Sequence, residues 1–301
     1  MQVILKGNKM RQISYPKYHK FIVDKKADGV EYTYDRGNWV ANPPMKIRYM
    51  GDLHLDYNYN HPFVLKDKKT FTCIAGDISG YPNIGVEWLK NNIQNGVFVE
   101  GNHILYNDWN MSLQDLYKYY EEKFPLDSNV SFLQNTYKVV NDIIFFGATL
   151  WTDCRYYGYV GKRDLTNYMN DYRYGKYNDG NQTRVITPDD TITEFNKTMK
   201  ALEEVCDANQ GTKIVVLTHH CPSEKCLSPY YRWSSNSCNQ AYVSHLESFI
   251  RSHGNIVAWI CGHSHNCTKF DIDGCKVLMN SRGYVRHDED VNFKPNRFIR
   301  I

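Results

Sequence analysis

Five short apolar runs in this chain each stop at a small cluster of Gly, Asp, Asn or His. Lys46–Met50 runs into Gly51-Asp52, Phe71–Ala75 into Gly76-Asp77, and Gly96–Glu100 into Gly101-Asn102. Further on, Lys213–Thr218 runs into His219-His220, and Ile256–Cys261 into Gly262-His263. Apolar runs of this length bounded by turn residues read as strands. Helical stretches lie between some of them, such as Asn110–Lys123 and Thr191–Ala208, the second with Pro188 and Asp189 near its start. Strands alternating with helices mean an α/β fold, in which ligands collect beyond the carboxyl ends of the strands. Five strands that each deliver polar residues there point to one shared site.

Composition narrows what surrounds that site. With 301 residues, 23% charged and 42% hydrophobic, the chain suits one large globular domain or two small ones. No apolar run approaches the ~20 residues that cross a bilayer, and Met1–Gly7 is too short for a secretory signal, so a cytoplasmic protein without a membrane partner is expected. The nine cysteines are an odd count with no C-x-x-C pair, which favours free thiols. The Cys221, Cys226, Cys238 grouping could bind a second metal, though its irregular spacing favours free thiols. Scarce Ala beside many Lys, Asn and Tyr suggests an AT-rich genome, such as that of a virus, with the host cytoplasm as location.

A net charge of only +3 leaves no footprint of bulk nucleic-acid binding. Residues 1–45, however, hold eight Lys/Arg against four Asp/Glu. His19–Val23 and Val30–Tyr34 flank Ala27-Asp28-Gly29 there as β-favouring runs, predicting a hairpin, and Asn42-Pro43-Pro44 breaks it off. The expected organisation is a basic N-terminal extension over 1–45 and one main domain over 46–301. Within the latter, residues 151–190, rich in Tyr, Asn, Asp and Gly, read as a loop or cap over the site.

Asp52 and His54 stand two residues apart, so at an extended strand end both side chains can grip one cation. Singly, D-x-H, Gly76-Asp77 and Gly101-Asn102-His103 are each compatible with an ordinary turn or helix cap. Gly262-His263-Ser264-His265 is more telling, because paired histidines behind a glycine ask for a shared ligand. The set decides: Asp52, His54, Asp77, Asn102, His219, His263 and His265 all fall at strand ends. These oxygen and nitrogen donors suit Mn²⁺, Fe²⁺ or Zn²⁺, with Mn²⁺ favoured. Seven ligands exceed the needs of one ion, whereas two ions sharing a carboxylate use them all.

In this order and context the motifs D-x-H, G-D, G-N-H, H and G-H-x-H resemble the calcineurin-like metallophosphoesterases over roughly residues 46–301. Gly147–Asp153, Asn170–Arg173, Thr218–Ser223 and Asn280–Tyr284 look like segments of small prokaryotic and phage-type members. The resemblance implies a four-layer α/β/β/α sandwich. It implies one ion on Asp52, His54 and His265, the other on Asn102, His219 and His263, and Asp77 as bridge, with His219 rather than His220 in the ligand position. By the same likeness, a metal-bridging hydroxide attacks phosphorus in line, and His103 contacts the phosphoryl oxygen or protonates the leaving group. Ile78-Ser79-Gly80 and Glu100 stand where the protein Ser/Thr phosphatases carry arginines. Gly80 stands where the purple acid phosphatases carry a tyrosine.

For the substrate, Arg173 and Arg282 offer planar forks for phosphate or salt bridges inside the cap, and Asp171 can pair with either. Tyr156, Tyr157, Tyr172 and Tyr174 offer faces for a base or for packing on one another. The leading expectation is a phosphohydrolase acting on a phosphomonoester or phosphodiester, with nucleotides a fitting substrate class. Its rivals are a nuclease on DNA or RNA, docked by the basic extension, and a scaffold that holds a partner through it.

Overall fold

A computed structural model describes residues 10–15, 18–25, 30–35, 38–106, 109–155, 158–234 and 236–301. The chain divides into two compact units, residues 1–46 with 299–301 and residues 47–298. The first contains a four-stranded antiparallel meander: β1 (Met10–Tyr15), β2 (Tyr18–Lys25), β3 (Val30–Asp35) and β4 (Asn38–Asn42). The expected hairpin is the β2–β3 pair, with Phe21 opposite Tyr34 and Lys25 opposite Val30. Its turn, Ala27-Asp28-Gly29, lies outside the described residues, as do Tyr156 and Tyr157.

The second unit is built on two sheets. β5 (Lys46–Met50), β6 (Thr72–Ala75), β7 (Gly96–Val99) and β8 (Val130–Phe132) pair in parallel in that order. The other sheet includes β9 (Thr136–Val140) and β10 (Ile143–Ala148). Residues 151–190 then contribute a small ribbon of β11 (Lys176–Asn178) and β12 (Thr183–Val185). The large sheet resumes with β13 (Lys213–Thr218), β14 (Ile256–Cys261), β15 (Lys269–Ile272) and β16 (Cys275–Met279). Its spatial order is β15-β16-β14-β13-β10-β9, and β10, β13, β14 and β16 run parallel. Every residue of β6, β7 and β10 is buried, the pattern of strands covered on both faces.

β6 and β7 lie against β10 and β13, and the Phe71 and Phe145 rings meet between the sheets at 4.7 Å. On the first sheet, α1 (Pro82–Asn92) and α2 (Leu113–Lys123) bury Leu89, Leu116 and Tyr120, the last edge-on to Phe98 at 5.8 Å. α2 begins at Ser112, whose hydroxyl accepts from Asp115 N in a capping box, so the helix starts three residues later than its composition predicts.

The cap also carries α3 (Gly158–Tyr168) and α4 (Asp171–Tyr174). Residues 151–190 are therefore more structured than a loop: their weak periodicity hides short elements held by buried Tyr172 and Tyr177. α5 (Pro188–Ala208) covers the second sheet with Phe195, Leu202 and Cys206, capped by Thr187 and Asp190. The short α6 (Pro229–Arg232) and α7 (Glu247–Ser252) follow. Helices, two sheets and helices make the four layers that the motif order implies. Among the described residues no helix is long and apolar enough to cross a membrane.

Candidate metal centre

The carboxyl ends of both sheets open on the same edge, where turns replace strands. The turns are stitched to each other by backbone hydrogen bonds: Asp52 N to Gly76 O and His54 N to Asp77 O, each 3.0 Å, and Gly262 N to His219 O at 3.0 Å. Five of the seven expected ligands adopt left-handed backbone, with φ of 52° at Asp52, 42° at His54, 50° at Asp77, 69° at His263 and 48° at His265. Each such residue costs about 1–2 kcal/mol relative to ordinary backbone. Strain gathered in one place marks a site whose geometry is set by function.

The seven side chains converge. His54 Nε2 lies 2.8 Å from His265 Nε2, and His219 Nε2 lies 3.0 Å from Asn102 Oδ1 and 3.1 Å from His263 Nδ1. Asp77 Oδ2 stands between the groups, 3.3 Å from His219 Nε2 and 3.8 Å from His54 Nε2. Asp52, His54 and His265 form one potential ligand group, and Asp77, His219 and His263 another, with donor atoms within 4.8 Å of each other.

The carboxylates are oriented alike. Asp52 Oδ1 accepts from His263 N at 2.8 Å and Asp77 Oδ1 from His103 N at 3.1 Å, while each Oδ2 is buried with no hydrogen-bond donor. The imidazoles follow the same rule: His219 Nδ1–H donates to Ala75 O at 2.8 Å and His265 Nδ1–H to Glu289 Oε2 at 2.6 Å, so Nε2 of each faces the centre. Donor-free carboxylate oxygens beside imidazole lone pairs fit divalent cations.

The electrostatics agree. Burial disfavours a charged His219, yet Asp77 and Asp52 outweigh it and push its pKa up to about 9, a measure of how strongly this pocket attracts positive charge. Burial holds His54 and His263 well below the usual imidazole range, leaving them neutral donors. Glycine makes the approach feasible. A Cβ on Gly101 would stand 2.0 Å from Asp77 Oδ1, and one on Gly76, at φ 84°, 2.5 Å from His219 Nδ1.

His220 turns elsewhere, with Nδ1 3.0 Å from Thr149 O and its ring 4.3 Å from that of His263. His103 sits at the mouth, its Nε2 3.9 Å from Asp77 Oδ2 and 3.4 Å from the Tyr284 hydroxyl. It lines a cleft of about 290 Å³ with Asp56, Tyr57, Gly80, Tyr81 and Tyr106. Arg173 and Arg282 do not line it. Arg173 Nη2 donates to Asn167 O at 2.8 Å, and the buried Arg282 donates to His61 O and rests over Phe63.

Asp171 pairs with neither arginine. Its Oδ1 accepts from Asn102 Nδ2 at 2.8 Å and from the Tyr106 hydroxyl at 2.9 Å, an orienting role that the sequence did not disclose. Glu289 was missed for the same reason. Tyr172 is buried, its hydroxyl 3.1 Å from Thr191 Oγ1, whereas Tyr174 is exposed near Tyr106.

Carboxylates, imidazoles and one amide gathered at the strand ends of a two-sheet α/β sandwich define a class, the metal-dependent phosphoester hydrolases. The chain belongs to the calcineurin-like phosphoesterase family, whose sequence profile matches residues 45–267. An uncharacterized protein of Acanthamoeba polyphaga mimivirus is 27% identical over 289 residues, covering 85% of this chain and 96% of the relative. The phosphopantetheinyl hydrolase of Mycobacterium tuberculosis has a similar fold, with a TM-score of 0.65 at 15% identity over 86% of this chain and 96% of its own.

Proposed function

We propose that the enzyme is a dinuclear phosphohydrolase of small phosphomonoesters or phosphodiesters that carry a flat ring, nucleotides among them. In this reading Asp52, His54 and His265 hold one divalent ion, Asn102, His219 and His263 hold the other, and Asp77 bridges. The observation that carries it is the position of Asp77 Oδ2, donor-free and flanked by imidazoles of both groups. The all-oxygen-and-nitrogen set favours Mn²⁺, with Fe²⁺ and Zn²⁺ as alternatives. When bound, the ions supply Lewis-acid charge for the phosphoryl oxygens and acidify the attacking water.

The remaining work falls to the chain. His103, at the mouth and 13% exposed, delivers a proton to the leaving oxygen as the P–O bond breaks. Tyr57, Tyr81 and Tyr106 supply faces for the esterified group. Among the described residues no Lys or Arg lines the cleft, and Asp56 does, which favours a small substrate over a polyanionic nucleic acid strand. Arg173 and Arg282 have no substrate role in this reading, since their hydrogen bonds lie with Asn167 and His61.

The test is hydrolysis of aryl phosphate, bis-aryl phosphate, nucleotides, cyclic nucleotides and oligonucleotides by metal-free protein reloaded with Mn²⁺, Fe²⁺ or Zn²⁺. Turnover of small esters that is lost on chelation and in Asp77→Asn is expected, and His103→Ala should lower kcat by about 10²–10⁴-fold. Turnover that survives chelation refutes the reading. Preferential cleavage of oligonucleotides that weakens steeply with salt replaces it with the nuclease, and partner capture without any turnover replaces it with the scaffold.

A further inference from the structure

Three cysteines from separate stretches meet beneath the strand ends. Cys221 follows His219-His220, Cys226 closes the short 3₁₀ turn Glu224–Cys226, and Cys261 is the last residue of β14. Their sulfurs all lie within 4.8 Å of one another, and Cys226 Sγ is 3.8 Å from Cys261 Sγ. None of the three residues is more than 1% exposed. Cys73, Cys154, Cys206 and Cys275 are buried too, yet join no such group among the described residues.

The separation is informative. A disulfide holds its sulfurs at about 2.0 Å. Thiolates sharing one ion, each at a metal–sulfur distance near 2.3 Å, stand roughly 3.8–4 Å apart. The Cys226–Cys261 distance, which a thiol–thiol hydrogen bond also spans, excludes the first case and accommodates the second. Around them, Cys221 Sγ donates to Gly262 O at 3.2 Å, Ser264 Oγ lies 4.0 Å from Cys221 Sγ, and no carboxylate or imidazole belongs to the group.

We propose that Cys221, Cys226 and Cys261 form a separate site for a thiophilic d¹⁰ cation, Zn²⁺ or Cu⁺. Sulfur donors select such ions, whereas the oxygen-and-nitrogen centre above suits harder ones. Three sulfurs suffice for Cu⁺; Zn²⁺, which is usually four-coordinate, would need a fourth ligand, for which Ser264 Oγ, 4.0 Å from Cys221 Sγ and donating to Cys226 O at 3.0 Å, is the polar side chain at hand. Binding forms metal–sulfur bonds and releases thiol protons to water, with no electron transferred. Cys221 and Cys261 each stand two residues from a histidine of the candidate centre, His219 and His263. An ion held by both sulfurs therefore clips the ends of β13 and β14 together and fixes the turns that present those imidazoles.

The experiment uses the full chain, reduced and metal-free under anaerobic conditions, titrated separately with Zn²⁺ and Cu⁺ and with Cd²⁺ as a spectroscopic d¹⁰ probe. The readouts are sulfur-to-metal charge transfer and the sulfur shell in X-ray absorption, both blind to the oxygen-and-nitrogen centre. One equivalent with a three-sulfur shell is expected, retained in Asp77→Asn, with affinity lowered more than about 100-fold in Cys226→Ser. In the Asp77→Asn background, loading should also raise the thermal midpoint more with Cys226 intact than with Cys226→Ser added. The ion that survives competition by a soluble chelator identifies the occupant. Absence of a sulfur shell from wild type with all three cations, or a Cys226–Cys261 disulfide in place of metal, overturns the proposal whether or not the variant folds.

Discussion

Replacing Asp171 by Ala tests how the amide of Asn102 is aimed. Asn102 Nδ2 donates to Asp171 Oδ1 at 2.8 Å and to the Tyr106 hydroxyl at 2.9 Å, and that hydroxyl donates to the same Oδ1 at 2.9 Å. Both amide protons are thereby engaged, and Oδ1 is left facing His219 Nε2 at 3.0 Å. Asp171→Ala deletes the acceptor of two buried hydrogen bonds, each worth about 1.5–3 kcal/mol when the acceptor is charged. The amide can then rotate and present its –NH₂ where a cation needs an oxygen. Affinity for the ion on Asn102, His219 and His263 should fall about 10–100-fold, the range for removal of an orienting partner. Asp171→Asn keeps an acceptor oxygen and should lose less than tenfold. Calorimetric titration of metal-free protein with Mn²⁺ reads this as one of two binding steps weakening while the other holds, with kcat at saturating Mn²⁺ within a few-fold of wild type. Wild-type affinity at both steps in Asp171→Ala would refute the orienting role.

Gly101→Ala should abolish tight metal binding while leaving the circular dichroism intact, since the added Cβ stands 2.0 Å from Asp77 Oδ1 and 2.7 Å from His219 Cε1; unchanged titration curves would contradict the contact. Glu289→Ala removes the acceptor 2.6 Å from His265 Nδ1 and should weaken the ion on Asp52, His54 and His265 about 10–100-fold, with Glu289→Gln milder. At α5, burial opposes ionisation of Asp190, but Arg184 and Thr187 outweigh it and hold the carboxyl below its ordinary 3.8. Stability from that depression is present above 3.8 and lost as pH falls through the lower folded-state value. The melting temperature of Asp190→Asn should therefore trail wild type near neutrality, by a gap equivalent to about 1 kcal/mol, and approach it in acid. A gap independent of pH would contradict the assignment.

What was legible in the sequence was local. Lys46–Met50, Lys213–Thr218 and Ile256–Cys261 form strands where their apolar runs fall, because a strand buried on both faces needs no partner to announce itself. Asp52, Asp77 and the His263/His265 pair, the proposed ligands, stand out for a related reason: turns that leave such strands must be compact, and Gly, Asp and His there are conspicuous. The cap was less legible. Tyr172 and Tyr177 are core residues there, but a tyrosine has both an apolar ring and a hydroxyl that seeks Thr191 or Glu194, so its burial leaves no clean periodicity.

The groups that aim the ligands were invisible on different grounds. Asp171 lies 69 residues from Asn102, and Glu289 lies 24 from His265, so neither pairing leaves a spacing to read. Composition pointed the other way, since Asp171 stands two residues from Arg173 and a salt bridge was the economical expectation. The fold decides otherwise because Asp171 is buried with Asn102 beside the half-buried Tyr106, while Arg173 turns to Asn167 O at the surface. A buried carboxylate must satisfy its lone pairs from whatever donors share its pocket, and here those donors are the Asn102 amide and the Tyr106 hydroxyl. In the proposed reading, ligand identity thus resides in the strand-end turns, whereas ligand orientation resides in residues 151–190 and the C-terminal turns. Substitutions in those outer segments should accordingly alter metal affinity before they alter the strands that carry the ligands.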